Sequence, residues 1–127
     1  MSDLRLIIGY RNYSTWSMRG WLTLRLSGLD FDVELLPAGT GDFPAAISAY
    51  PPAQLVPVLT IGPRVIWESF AIAETVAELA PTAPLWPKDE AARAMARSLC
   101  AETHPHADEH PRHLSRQGPW PRRRRRY

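Results

Sequence analysis

Residues Gln54–Glu74 read QLVPVLTIGPRVIWESFAIAE. Pro57 stands inside an apolar, β-type run of Leu55, Val56, Val58 and Leu59. A Gly62-Pro63 turn follows, then a second short run, Val65-Ile66-Trp67, and then Glu68-Ser69 opening an amphipathic pattern. Proline has no N–H to give to a ladder, so it belongs at a strand's first residue or on an edge. Neighbouring backbone groups are then left to pair with something outside the sheet, and a small peptide-like ligand is the expectation.

Working outward from this strand, turn, strand and helix, the spacing predicts the remaining elements. Leu4 to Ile8 reads as a buried strand ended by Gly9. The polar segment Tyr10-Arg-Asn-Tyr-Ser-Thr15 offers side chains that can cap a helix. From Trp16 to Ser27, Met18, Trp21, Leu22 and Leu26, with Leu29 beyond, suggest a helix with one buried side, and Gly28 suits a left-handed C-terminal cap. Gly20 inside that helix costs about 1 kcal/mol against alanine. Phe31 to Leu36 alternates apolar and acidic residues like a half-exposed strand, and Asp42 to Ala49 makes a short helix with Asp42 as cap, stopped by Tyr50-Pro51-Pro52. Ser69, Ile72, Ala73, Val76, Leu79 and Ala80 recur at helical spacing. The prolines at 81, 84 and 87 make a linker, and Asp89 caps a helix to Glu102. The order β-α-β-α-β-β-α predicts an α/β fold. Its sheet is mixed and four-stranded, with one parallel crossover and one hairpin.

Composition bounds the rest. A chain of 127 residues with 45% hydrophobic content is one domain's worth of globular sequence. No apolar run approaches the ~18 residues of a membrane span, and the opening MSDLRLIIGY is unlike a secretory leader. The single cysteine, Cys100, excludes an intramolecular disulfide, fits a reducing cytoplasm, and reads as a buried helix filler. The net charge of +2 hides a split. Residues 1–103 hold eight Lys/Arg against eleven Asp/Glu, giving −3, and residues 104–127 hold seven against two, giving +5.

Four features fall in register with the predicted elements. They are Ser14-Thr15-Trp16-Ser17-Met18-Arg19 at the first helix, Val56-Pro57 at the third strand, Glu68-Ser69 before the third helix, and a proline linker into a helix carrying Arg93-Ala-Met-Ala-Arg97. In this order they resemble the thioredoxin-like N-terminal domain of cytosolic glutathione S-transferases over about residues 4–103. Asn12-Tyr-Ser-Thr-Trp-Ser-Met-Arg19 looks most like a bacterial subgroup, with zeta-class maleylacetoacetate isomerases more distant.

The resemblance implies glutathione as co-substrate and transfer to, or isomerisation of, a small electrophile. A helix N-terminus carries unsatisfied N–H groups and about half a positive charge. A hydroxyl there can donate to a thiolate, lowering a thiol pKa of about 8.5 and supplying the nucleophile without a dedicated base. Ser14, five residues before Arg19, occupies the place that opens the Cys-x-x-Cys motif of thioredoxin-like proteins, and Ser17 occupies its second position. Ser14 is the candidate catalytic residue, with Thr15, Ser17 and Tyr13 as alternatives. The family implies a cis bond before Pro57, presenting the Val56 N–H and C=O to the cysteinyl part of glutathione. Ser69, whose bland role is helix capping, would bind the γ-glutamyl carboxylate, and Glu68 the α-ammonium.

The sequence also departs from the family. Relatives often carry glycine three residues before the cis-proline and Lys, Arg or Gln two before it, where this chain has Gln54 and Leu55. Leucine cannot hold the glycyl carboxylate, leaving Gln54 as the candidate. The expected division is a glutathione-binding domain over 1–80, a linker over 81–88 and the first helix of a helical domain over 89–103. Residues 104–127 then form a disordered tail rich in His, Pro and Arg. The expectation is a truncated or frameshifted relative, with a binding module or inactive fragment as the alternative to an enzyme. A docking face left wet forgoes ~1.5–3 kcal/mol per apolar side chain against a net stability of ~5–15 kcal/mol. Weak stability or association follows, and a homodimer fits the family. His104, His106, His110 and His113 lack the flanking constraint of a structural metal site, so no metal is expected. Arg122 to Arg126 offers only nonspecific contact to nucleic acid.

Overall fold

The computed structural model describes residues 2–9 and 15–103. The expectations for Asn12, Tyr13, Ser14, the four histidines and the arginine run lie outside those residues. Eight elements follow the predicted order: β1 (Leu4–Ile8), α1 (Thr15–Ser27), β2 (Asp32–Leu35), α2 (Phe43–Ile47), β3 (Val58–Ile61), β4 (Arg64–Trp67), α3 (Ser69–Leu79) and α4 (Glu90–Thr103). The sheet order is β2-β1-β3-β4. β1 runs parallel to β2 with Leu6 beside Val33, and antiparallel to β3 with Leu6 beside Leu59. β3 and β4 form the hairpin, with Leu59 beside Ile66 and Val58 beside Trp67.

β1 closes on the apolar run Leu6-Ile7-Ile8 because both faces of the sheet are covered there, while Arg5 before it is exposed. Leu6, Ile8 and Leu59 point to one face and pack with Leu24 of α1 and with Ile72 and Val76 of α3. Ile7 and Val58 point to the other and pack with Leu36, Ala53 and Ile47 of α2. Leu85, inside the proline linker, joins the first of these clusters. Trp86 meets Phe70 edge to face, with ring centroids 6.1 Å apart.

Several expectations need correction. α1 buries Ser17, Gly20 and Leu24 rather than the Met18, Leu22 and Leu26 side, which is exposed. The helix is apolar on two sides, and the small residues are the ones that let it approach the sheet. β3 starts at Val58, since the Pro57 ring denies the ladder a donor and the chain bends at Leu55 and Val56. Asp42 holds the cap position of α2 in a helical conformation, without a side-chain bond to the helix. Cys100 is exposed on α4, a helix with no buried residue. Other signals hold: Gly28 has φ 75°, which a side chain would strain, and the Asp89 carboxylate accepts the Ala92 N–H at 2.8 Å.

The described residues up to Pro87 belong to one compact unit, and those from Lys88 to Thr103 to another. In the second, the Arg93 guanidinium donates to the Lys88 carbonyl at 2.8 Å, beside the Asp89 cap.

Tyr50 packs against the second cluster, and its hydroxyl donates to the Glu34 carboxylate at 2.6 Å, with Arg5 3.6 Å from the same oxygen. Partial burial, and then the Glu34 hydrogen bond and charge, push the Tyr50 hydroxyl up to about 12 from 10.0. The folded pKa lies above the unfolded one. Tyr50 therefore contributes its full stability below pH 10.0 and loses it as pH rises toward about 12. Tyr50→Phe should flatten the fall in stability across that alkaline window, read by urea unfolding at stepped pH. An unchanged alkaline slope would show that Tyr50 is not its source.

Candidate functional site

The Gln54–Pro57 turn is held from both ends. Upstream, Tyr50 is tied to Glu34, its N–H donates to the Ile47 carbonyl at 2.9 Å, and its carbonyl accepts the Ala53 N–H at 2.9 Å. The chain then passes two cis bonds, Pro51-Pro52, which the sequence did not suggest, and Val56-Pro57, which the family resemblance implied. Pro57 is buried, Val56 half-buried, and Gln54 and Leu55 are exposed. Among the described residues, no backbone hydrogen bond engages the Val56 N–H or C=O. This is the open edge that a proline at this position predicts.

β4 delivers Glu68 and Ser69 to the same end of the sheet. β3 begins and β4 ends at the paired residues Val58 and Trp67, so Val56-Pro57, just before the one, and Glu68-Ser69, just after the other, leave the sheet at the same end. Ser69 is the first residue of α3 rather than its cap; the cap position belongs to Glu68, with φ 74° and ψ 125° and no side-chain bond to the helix. A positive φ at a residue with a Cβ costs about 1–3 kcal/mol and clusters at functional sites. The bend turns the Ser69 N–H and the following amides, with the positive end of the α3 dipole, outward at the strand end.

On the other side of Val56 lies the start of α1. The register of β1 and β3 carries Gly9 to a place opposite Val56. The Gly9 N–H donates to the Ser17 hydroxyl at 3.1 Å, and Ser17 has no exposed surface. A Cβ on Gly9 would lie 2.7 Å from the Ala38 Cβ and 3.5 Å from a Val56 methyl. A Cβ on Gly20 would lie 3.1 Å from the Pro57 Cβ and 3.3 Å from a Leu6 methyl. Gly20 therefore lets α1 close on β1 and the cis-proline turn, the buried Ser17 ties α1 to the end of β1, and Gly9 lets the loop at Ala38 approach the same strand end. Sequence reasoning missed both glycines as contact points. A glycine inside an apolar helical pattern is the signal that could have found Gly20. Thr15, the first residue of α1, is exposed, and the Arg19 guanidinium lies 4.2 Å above the Trp16 ring.

Val56, Glu68 and Ser69 are thus brought to one end of the sheet, as the sequence reading required, with α1 starting beside them. Gln54 sits on the exposed approach to Val56.

A four-stranded mixed sheet with α1 and α3 on one face, α2 on the other and a cis-proline at one strand end is the thioredoxin-like class. Within that class, residues 13–79 match the family model of the glutathione S-transferase N-terminal domain, and the chain belongs to that family. A probable maleylacetoacetate isomerase of Caenorhabditis elegans is 31% identical over 90 residues, which are 71% of this chain and 41% of that protein. A glutathione transferase homologue from Burkholderia gl BGR1, solved with bound glutathione, superposes with a TM-score of 0.65 at 29% identity, covering 77% of this chain and 51% of that one. The zeta-class bacterial maleyl pyruvate isomerase superposes with a TM-score of 0.65 at 32% identity, covering 75% of this chain and 44% of its own. The chain thus spans about half the length of these relatives, or less. No helix among the described residues is long and apolar enough to cross a membrane.

Proposed function

We propose that this chain binds glutathione across the Val56–Pro57 turn and activates its thiol at the start of α1, for transfer to, or isomerisation of, a small electrophile. The observation that carries the reading is the shared strand end. There the Val56 backbone, which no backbone hydrogen bond engages among the described residues, Glu68 and the α3 N-terminus share one end of the sheet. The cysteinyl backbone adds to Val56 as a short antiparallel strand. The γ-glutamyl carboxylate meets Ser69 at the helix's positive end, and the α-ammonium meets Glu68. A zwitterion needs an anion site and a carboxylate in contact, and consecutive residues supply both. Gln54 is the polar side chain on the glycyl side.

Ser14 is the proposed thiol donor. Ser17, buried and accepting the Gly9 N–H, suits a strut between helix and strand, which leaves Thr15 and Tyr13 as the alternatives to Ser14. The reading extends to residues 1–80 as the glutathione half, 81–88 as linker and 89–103 as the opening helix of a helical second half. A homodimer and a cytoplasmic location belong to it as well.

Glutathione-affinity capture followed by a turnover assay tests this. Capture with turnover supports it; capture without turnover makes the chain a binding module; no capture ends the proposal. Ser14→Ala should raise the pKa of bound thiol by about 1–2 units, cutting turnover near neutral pH about 10- to 100-fold while affinity stays nearly constant. Thiolate ultraviolet absorbance against pH reads the shift. An unmoved pKa would hand the role to Thr15 or Tyr13.

A further inference from the structure

The way glutathione runs across Val56 decides what its far end meets, so this inference rests on the glutathione reading. In an antiparallel pair, successive residues of one strand lie beside preceding residues of the other. With the ligand cysteine beside Val56, the γ-glutamyl group runs past Pro57 toward the strand end where β4 delivers Glu68. The two ends of that assignment agree. The residue after the cysteine then lies beside Leu55.

Leu55 is 62% exposed, and its neighbour Gln54 is exposed as well. Between Asp42 and Arg64 the chain carries no charged side chain, so the stretch holding α2, the double-proline bend, the turn and β3 offers no cation of its own to that part of the ligand. A free carboxylate placed there gains at most a neutral amide from Gln54 while lying against leucine. A neutral group loses nothing by the same placement, and an alkyl group covers apolar surface.

We propose that this site recognises its thiol by the γ-glutamyl and cysteinyl residues alone. Its ligands then include γ-glutamyl-cysteinyl thiols whose C-terminal end is neutral, an amide or an ester, and Leu55 is the residue that sets this specificity. Leu55 is a contact residue for the ligand's third position, with no part in the chemistry.

Calorimetric titration of the full chain with glutathione, its glycyl monoethyl ester and γ-glutamylcysteine tests the assignment. The expected result is an ester dissociation constant within about twofold of that of glutathione, or below it. In Leu55→Lys, free-acid glutathione should bind about five- to tenfold tighter while the ester does not, since the new ammonium has a carboxylate partner only in the acid. An ester that binds the original chain about tenfold more weakly than the acid would overturn the proposal, because a cation elsewhere would then be holding the carboxylate. So would a Leu55→Lys chain with an unchanged acid-to-ester ratio. Absence of heat with all three thiols is a separate result: it removes the glutathione reading itself, and this inference with it.

Discussion

Glu68→Gly should leave a chain that is more stable than Glu68→Ala yet equally unable to hold glutathione. Glycine is ordinarily the worse residue, by about 0.5–1 kcal/mol against alanine inside regular structure, because it loses more freedom on folding. At φ 74° the order inverts, since alanine keeps the Cβ that makes this conformation costly and glycine does not. Any contact that the Glu68 carboxylate makes within the chain is lost equally in both variants, so their difference isolates the backbone. That difference should be about 1–2 kcal/mol in favour of glycine in urea unfolding. Binding moves the other way. A hydrogen bond to a charged group contributes about 1.5–3 kcal/mol, so removing the partner of the α-ammonium should weaken glutathione about 10- to 100-fold in both variants. Ser69→Ala should give a similar loss from the carboxylate side with little change in stability. If Glu68→Gly bound glutathione as tightly as the parent chain, the strained bend would serve the fold alone. If it were less stable than Glu68→Ala, the bend would not be strained.

This bend also shows where sequence reading stops. β1 was legible because a strand covered on both faces must be apolar where it is covered, and Leu6-Ile7-Ile8 is such a run, with Arg5 before it exposed. Gly28 and Asp89 were legible because each is the residue type its local geometry demands. The same logic fails at Glu68, where a positive φ asks for glycine or asparagine and the chain uses a carboxylate. Pro57 announced an interrupted strand, but its cis bond came only from the family pattern, since most X–Pro bonds are trans. α1 misled because hydrophobic periodicity scores Leu22 and Leu26 as core and Ser17 and Gly20 as faults. Packing reverses that ranking, because the helix lies close to β1 and Pro57 only where its side chains are small.

Gly20→Val should therefore cost the fold about 2–3 kcal/mol, whereas Gly20→Ala should leave stability nearly unchanged and still weaken glutathione binding. Two effects compete in the alanine variant. Exchanging glycine for alanine in a helix interior gains about 1 kcal/mol. Against that, the added Cβ would sit 3.1 Å from the Pro57 Cβ and 3.3 Å from both the Pro57 Cγ and a Leu6 methyl. Those neighbours must give by a few tenths of an ångström. Leu6 is wholly buried among other core side chains, and Pro57 is a rigid ring, so the yielding part is the turn that carries Val56. Valine adds two more methyl groups to a space with no room for one, and overpacking of that kind costs about 1–3 kcal/mol. Its β-branch also fits a helix less well than alanine does. Urea unfolding separates the variants, and calorimetry on Gly20→Ala, which keeps the fold, reads the displaced turn as a loss of about three- to tenfold in glutathione affinity. A Gly20→Val chain as stable as the parent would mean that α1 can move off the sheet without loss. A Gly20→Ala chain with unaltered affinity would mean that the Val56 edge is positioned independently of α1.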